Sequence, residues 1–500
     1  MAWDAVVIGS GFGGAFSALA LTEAGLRVLL LERGRPVRRD DGDWDPRQVL
    51  IGDRYRSASP VQVRQYGARR HAVLRPMEML GGHSVVYGGA SLRLREADLD
   101  RWPLSYGELE PHYTRAEALL DVHGQAGADP CEPPRSAAYP RAPVPFTEPA
   151  QRLRDAAGRL GWRPFPIPLA LNFSDDARPR CILCNTCDGF PCRIEAKNDL
   201  AVTVLRLAAE LGLEIRAGAA ALRLRLEGGR AASVECVDVE SGEGHEFEAD
   251  RFVLAAGALH SPALLLRSGL GDGGSPGGRW IGRRLMRHCN AVVAGLFRAP
   301  TNPRQVFHKQ LCFTEFYDDL RAELGTATGT VQDIYTPAAA VIRHHAPPGL
   351  KRLAGWMSGY MQNLLCVAED DPRPENRVSL SDEEDRFGAR VPHVDHEYSA
   401  ADLRRRDHLV ARARQLLRTA GAWTTRVYEI DTFSHGVGSV GMAASPEEGA
   451  LDPRCRLWGV DNLWVVDGSC FPASGGVNPS LTIAANALRV APAIAGGERG

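Results

Sequence analysis

Lysine is nearly missing from this 500-residue chain: it occurs only as Lys197, Lys309 and Lys351, although lysine and arginine together number 59. The arginines are dispersed along the whole length, as a coding bias leaves them, and form no binding patch. Net charge is missing too. A formal −2 gives no field that would gather nucleic acid or an anionic membrane surface. No run reaches the ~18 uninterrupted apolar residues that a membrane span requires. The opening WDAVVIGSG has no basic segment, no separate apolar segment and no small-residue cleavage site, so a cytoplasmic protein is expected. Eleven cysteines are few for this length, and in a reducing compartment they read as thiols or metal ligands. What remains, 44% hydrophobic and 24% charged residues, is ordinary globular composition. The length suits two or three domains, or one large cofactor-binding core with a second lobe wrapped on it. No internal repeat is visible.

Three separated segments share one style. Residues 4–34 read as a strand, a glycine turn, an amphipathic helix (AFSALALTEAG) and a second strand (RVLLLERG), a βαβ opening. The passage from DLAVTVLRLAAELGLEIRAG to RFVLAAGALHSPALLLRSGLG reads as helix, strand, hairpin and strand. The last passage, NLWVVDGSCFPASGGVNPSLTIAANALRVAPAIA, reads as a buried strand, a loop and a long alanine-rich helix. Between them, residues 124–180 are rich in proline, arginine and small residues, and 291–430 mix short strand-like runs with the helix AADLRRRDHLVARARQLLRTAG. The pattern predicts one α/β core assembled from discontinuous segments, with a second lobe inserted between them.

Gly9, Gly11 and Gly14 form G-x-G-x-x-G directly after the first strand and before the first helix, with Phe12 and Gly13 inside the motif. The first glycine permits a tight turn, the second lets backbone approach a pyrophosphate at the helix N-terminus, and the third allows close helix-to-strand packing. Glu32 ends the next strand, where a carboxylate binds a ribose hydroxyl pair, and Arg33 follows it. The triplet alone does not separate FAD from NAD.

A second constellation is CILCNTCDGFPCRIEAKND, in which Cys181, Cys184, Cys187 and Cys192 are spaced C-x2-C-x2-C-x4-C. Thiolates so spaced can converge on one zinc ion or on an iron-sulfur cluster, although ferredoxin-like runs have three residues in the last gap. The alternative is thiols or disulfides pinning a loop. His344 and His345, before two prolines, could serve a metal, but such a loop pair is more often solvated.

Four regions, in order, resemble the glucose-methanol-choline oxidoreductases. GALHSPALLLRSGLG, from Gly257, resembles a family signature with its glycine, Ser-Pro, paired aliphatics and closing Ser-Gly-aliphatic-Gly. GGHSVVYGGASLR from Gly81 is similar to the flavin-contacting loop, and WIGRRLMRH from Trp280 to a strand-leading segment. SHGVGSVGM and the NLWVVDG passage are similar to the catalytic end. The resemblance covers about residues 4–110, 190–290 and 430–495.

The resemblance implies FAD rather than NAD and an α/β (α+β) fold of two lobes. A Rossmann-like FAD-binding domain is expected from residues 1–120, 190–290 and 430–500. A substrate-binding lobe with a mostly antiparallel sheet is expected from 121–189 and 291–429. Gly81, Gly82, Ser84, Gly88 and Gly89 are expected against the isoalloxazine and Ala221 near the adenine. Ala256, Gly257, Asp467 and Gly468 are expected near the phosphates and ribityl chain, with Pro479 also at the cofactor. Some relatives attach FAD covalently through a histidine in the loop after the paired glycines. Here that place is Val86, and His83 is out of register, so non-covalent flavin is expected. Some bacterial dehydrogenases of the family carry an iron-sulfur cluster in a region comparable to the cysteine run.

Breaking an alcohol C–H bond as hydride requires the hydroxyl proton to leave, because a protonated carbonyl is a very poor product; a base must therefore sit at the hydroxyl. Histidine, with a pKa near ~6.5, is neutral at working pH and accepts a proton readily. His435, in SHGVGS, stands where the family has its active-site histidine. Asn478, in GGVNPS, stands where members carry a second histidine or an asparagine, and can hold the substrate oxygen without competing for the proton. The His/Asn pairing is similar to that of pyranose oxidases and sterol oxidases.

The expected function is FAD-dependent oxidation of a CH–OH group, with a small alcohol or sugar-like substrate and with oxygen or another electron acceptor as partners. GWMSGYMQNLL and TATGTVQDIY mix aromatics with amides, which suits a sugar, cyclitol or glycoside offered stacking and hydrogen bonds. The alternatives are an electron-transferring dehydrogenase using a cysteine-ligated iron-sulfur cluster, an oxidase of an apolar sterol-like or aryl alcohol, and a non-catalytic flavin binder.

Overall fold

The computed structural model describes residues 3–65, 70–174, 178–430 and 432–496. Its central sheet is parallel and five-stranded, in the order Leu463–Val465, Phe252–Leu254, Ala5–Ile8, Val28–Glu32, Glu214–Ala217. The first four strands in that order are buried apolar runs because both faces are covered, as in parallel sheets generally, whereas Glu214–Ala217 at the far edge is partly exposed. The glycine turn leads into the helix Phe12–Glu23, which packs against the alanine-rich helix Ser480–Ala495. Small side chains let the two approach closely while the larger Leu481 and Leu488 fill the core. Every pairing in this sheet is parallel. All its strands therefore end on one edge, and the segments following Ile8, Glu32, Leu254 and Val465 meet there. In an open α/β sheet that edge is where ligands bind.

The second sheet is antiparallel and six-stranded, in the order Thr424–Glu429, Ala291–Leu296, Met361–Ala368, Gly329–Ile334, Leu311–Phe313, Phe165–Pro166. Side chains alternate between its faces. Val331, Leu364, Cys366 and Ala368 pack with Leu409, Ala413 and Leu416 of the helix Ala400–Thr419 and with Leu153 of the helix Glu148–Arg159. Gln332 pairs with Leu365 and Ile334 with Asn363, so Thr330, Gln332 and Asn363 belong to the opposite face. The helix Ala400–Thr419 starts at Ser399 with a capping box to Asp402.

Two smaller sheets flank these. One has the order Arg377–Glu384, Arg390–His396, Val61–Gln65, Arg70–Leu74; the other has Ala219–Glu227, Arg230–Asp238, Gly244–Glu248. The third strand of the latter was not read from the sequence because GHEFE is polar and largely exposed, with no apolar alternation to mark it.

Candidate active site

Gly9 has φ +105° and a Cβ there would stand 2.4 Å from the Ala255 carbonyl oxygen; at Gly14 it would stand 1.8 Å from the Gly9 carbonyl oxygen. Both positions therefore require glycine for the turn to close. Gly13 lies equally tightly on Val466. Gly11 differs: a Cβ there would meet nothing within 4 Å. The space lies at the N-terminus of Phe12–Glu23, where no side chain caps the first N–H groups. Free amide donors with open room before them suit a pyrophosphate.

The neighbouring residues complete a cradle. Glu32 Oε2 accepts from the Ser10 amide (3.0 Å) and hydroxyl (2.6 Å), and Oε1 accepts from the Gly34 amide (2.7 Å). The carboxylate is thereby aimed, and its two oxygens keep acceptor capacity for ribose hydroxyls. Ser10 Oγ also accepts from the Gly81 amide (2.8 Å), and a Cβ on Gly82 would lie 3.0 Å from Gly11 Cα, so the paired-glycine loop rests on the turn. Arg33 pairs with Glu78 and meets His260 Nε2 at 3.4 Å; Arg33, Ala221, His260 and Arg267 line one small cavity. Burial, reinforced by Arg33, pushes His260 well below the ordinary histidine range.

Asp467 Oδ2 accepts from the Gly257 amide (2.8 Å) and the Ser261 hydroxyl, and Oδ1 from the Ser469 amide (2.7 Å). It ties the start of the helix Gly257–Arg267 to the end of Leu463–Val465, which brings Ala256, Gly257, Asp467 and Gly468 to the sheet edge beside the glycine turn. Ser84 donates to the Gly81 carbonyl (2.6 Å) and accepts from the Leu200 amide (3.0 Å), so its hydroxyl shapes the loop. Gly88 abuts Asp188, and Gly89 abuts Leu171. Val86 is half-buried and His83 exposed.

His435 and Asn478 come together: Asn478 Nδ2 lies 3.3 Å from His435 Nε2. On the other side His435 Nδ1 lies 2.9 Å from Nδ1 of His288. This second histidine decides the protonation of the first. His288 Nε2 faces the carbonyl oxygens of Ser474 (3.2 Å) and Gly475 (3.0 Å), which only accept, so Nε2 carries hydrogen. Burial pushes His288 below the ordinary range, so the ring is neutral and its Nδ1 is a lone pair. His435 must then donate from Nδ1, which leaves its Nε2 unprotonated beside Asn478. Asp370 fixes the arrangement by accepting from the amides of Arg287 (2.8 Å) and His288 (3.0 Å) and from the Ser474 hydroxyl (2.9 Å). Burial, then His288, then the Lys309 ammonium hold His435 well below its ordinary value. Lys309 itself is buried and paired with Asp188 at 2.9 Å.

The four cysteines of the C-x2-C-x2-C-x4-C run line one small cavity with Ile182 and Phe307. Burial pushes Cys181 up to about 12 and Cys187 higher still. Among the described residues no group of three or more His, Cys, Asp or Glu is arranged to hold a metal ion. Lys197 ties the loop down by donating to the carbonyls of Val85 (3.1 Å), Cys187 (2.8 Å) and Phe190 (2.7 Å). His344 and His345 stand on the helix Ala339–His345 with exposed side chains. Two residues of the site escaped the sequence reading. His288 closes the segment WIGRRLMRH, and Gln332, which binds Asn478, lies in TATGTVQDIY.

A parallel sheet with an open glycine cradle at its carboxyl edge, together with the His435–Asn478 pair, is the arrangement of an oxidoreductase built around a dinucleotide. The GMC oxidoreductase family matches in two parts, its N-terminal region over residues 4–290 and its C-terminal region over residues 372–487. The chain belongs to this family: it is an FAD-dependent oxidoreductase acting on alcohol groups. Among curated proteins it is 32% identical to 6'''-hydroxyparomomycin C oxidase of Streptomyces lividus and 32% identical to paromamine 6'-oxidase of Streptomyces fradiae. Each alignment covers 99% of this chain and 91% of the relative. It is 28% identical to 2-methyl-1,2-propanediol dehydrogenase of Mycolicibacterium austroafricanum, over 97% of this chain and 94% of that one. Among solved structures, pyridoxine 4-oxidase from Mesorbium loti superposes with a TM-score of 0.71 at 22% identity, covering 98% of this chain and 99% of that chain. That likeness establishes the shared fold. Among the described residues no helix is long and apolar enough to cross a membrane.

Proposed function

We propose that this enzyme oxidises a hydroxyl-bearing carbon of a sugar-like alcohol, with a hydroxymethyl group on an amino sugar as the leading candidate, and that His435 takes the hydroxyl proton. The observation that carries this reading is the position of His435, with Nδ1 2.9 Å from His288 Nδ1 and Nε2 3.3 Å from the Asn478 amide, from which an unprotonated Nε2 follows. Two relatives that span nearly the whole chain are named for oxidation of aminoglycosides, which supports the substrate class. FAD, when bound, supplies the hydride acceptor. Asn478 Nδ2 donates to the substrate oxygen and holds it beside His435 Nε2. Proton removal and hydride departure are thus arranged at one carbinol. Residues of the glycine turn, Glu32, the Gly81–Gly82 loop, Arg33, Ala221, Gly257 and Asp467 would hold the cofactor, on the lobe built around the parallel sheet. The antiparallel sheet would face the substrate.

Anaerobic incubation with a panel of aminosugars, sugars, sterols and aryl alcohols tests this. Bleaching of the flavin by sugars bearing a free hydroxymethyl group is expected; bleaching confined to sterols or aryl alcohols would refute the substrate class. Oxygen consumption with and without an artificial acceptor then separates an oxidase from an electron-transferring dehydrogenase. Because Val86 offers no nucleophile at the linkage position, acid precipitation is expected to release intact FAD into the supernatant. Flavin retained on the precipitated polypeptide would show a covalent bond.

A further inference from the structure

The hydrogen-bond polarity set at His288 runs past His435 and reaches the substrate lobe. His435 Nε2 is a lone pair, so the Asn478 group beside it must be the NH2, and Asn478 Oδ1 must point away. That oxygen lies 2.8 Å from Gln332 Nε2, the donor it requires. One continuous sense thus passes from the Ser474 and Gly475 carbonyls through His288, His435 and Asn478 to Gln332. It leaves Gln332 Oε1 as the end of the chain. That oxygen is buried and has no partner, on a residue that is itself 0% exposed. On the adjacent strand and the same sheet face, diagonal to it, Asn363 Oδ1 is likewise buried without a partner. Burying an acceptor without a partner is unfavourable, because it loses its hydrogen bonds to water and gains none. Two on one face, next to the residue that holds the reacting oxygen, mark where a ligand supplies donors.

We propose that Gln332 and Asn363 form a subsite that accepts hydrogen bonds from a second donor on the substrate, a hydroxyl or ammonium group borne by the same small molecule as the oxidised alcohol. The subsite restricts the enzyme to polyhydroxylated or amino-substituted alcohols, because an alcohol with no second donor leaves both oxygens unpaired once water is excluded. This rests on the alcohol-oxidation reading above and adds the substrate's second recognition element.

The test uses holoenzyme and three probes: methyl 2-amino-2-deoxyglucopyranoside, methyl glucopyranoside and cyclohexylmethanol, a primary alcohol with no second donor. Binding is measured by calorimetry in a His435→Ala background, where turnover is suppressed. Adding Gln332→Met is expected to weaken both sugar probes about 10- to 100-fold more than it weakens cyclohexylmethanol, the worth of one such buried polar group beyond the support that Gln332 gives Asn478. Asn363→Leu leaves the partner of Asn478 in place and is expected to show the same selectivity. An equal loss for all three probes would mean that Gln332 only orients Asn478. No loss with either substitution, or sugars that fail to bind where cyclohexylmethanol does, would also overturn the subsite. The two claims fail separately. Wild-type flavin that none of the probes reduces contradicts alcohol oxidation, whereas flavin reduced equally well by cyclohexylmethanol and the sugars contradicts only the subsite.

Discussion

Replacing His435 with alanine is expected to leave FAD bound and to slow its reduction by substrate by about 10²- to 10⁴-fold, the usual cost of losing a general base, or roughly 3–5 kcal/mol of barrier. Cofactor retention follows from the separate contacts: the cradle is built by the glycine turn, Glu32 and the Gly81–Gly82 loop, while the hydrogen bonds of the His435 ring go to His288 and Asn478. The pH dependence carries a further sign. An imidazole acts as base only when neutral, and burial with the nearby His288 and Lys309 holds His435 well below its ordinary value. Reduction by the wild type is therefore expected to stay level through neutral pH and to fall only as pH drops below the ordinary histidine range, near ~6.5. The alanine variant should lose that acid limb. Rapid-mixing reduction of both proteins across pH, without oxygen, supplies the comparison; an acid limb that survives in the variant would assign it to another group.

Gly11→Val is expected to abolish FAD binding without unfolding the chain. The two effects separate at this position because a Cβ on Gly11 meets no protein atom within 4 Å, whereas one on Gly14 would stand 1.8 Å from the Gly9 carbonyl oxygen. A branched side chain at 11 would occupy the space before the helix N-terminus that a pyrophosphate needs. The variant should purify colourless with native circular dichroism and a cooperative thermal transition, while Gly14→Val should lose the fold. A yellow Gly11→Val protein with stoichiometric flavin would place the phosphates elsewhere.

The parts of this molecule that could be read from sequence are those whose physics is local. A tight turn after a strand demands Gly9 and Gly14 in that order, a strand buried on both faces is an apolar run, and an acidic residue ending the next strand lies one helix away. Such features leave their pattern within about thirty residues. His288 could not be singled out in that way. Its significance is a contact with a residue 147 positions later, and it sits in a segment that reads only as a lead into a strand. Gln332 is the same case, 146 positions from Asn478, and only the pairing of Gly329–Ile334 with Met361–Ala368 shows that it shares a face with Asn363. The cysteine run is legible only in part. Its spacing suggests convergence, and the four side chains do line one apolar cavity, but the tie that Lys197 makes to the surrounding carbonyls leaves no mark in that spacing.

The most direct test of the central claim is anaerobic rapid mixing of wild-type holoenzyme with an amino sugar carrying either hydrogen or deuterium at the hydroxymethyl carbon. Bleaching of the flavin in a single turnover, slowed several-fold by deuterium, is the result expected of hydride removal from a carbinol beside a neutral His435. Flavin that stays oxidised with every alcohol offered, or protein that purifies with a nicotinamide dinucleotide and no flavin, would contradict it.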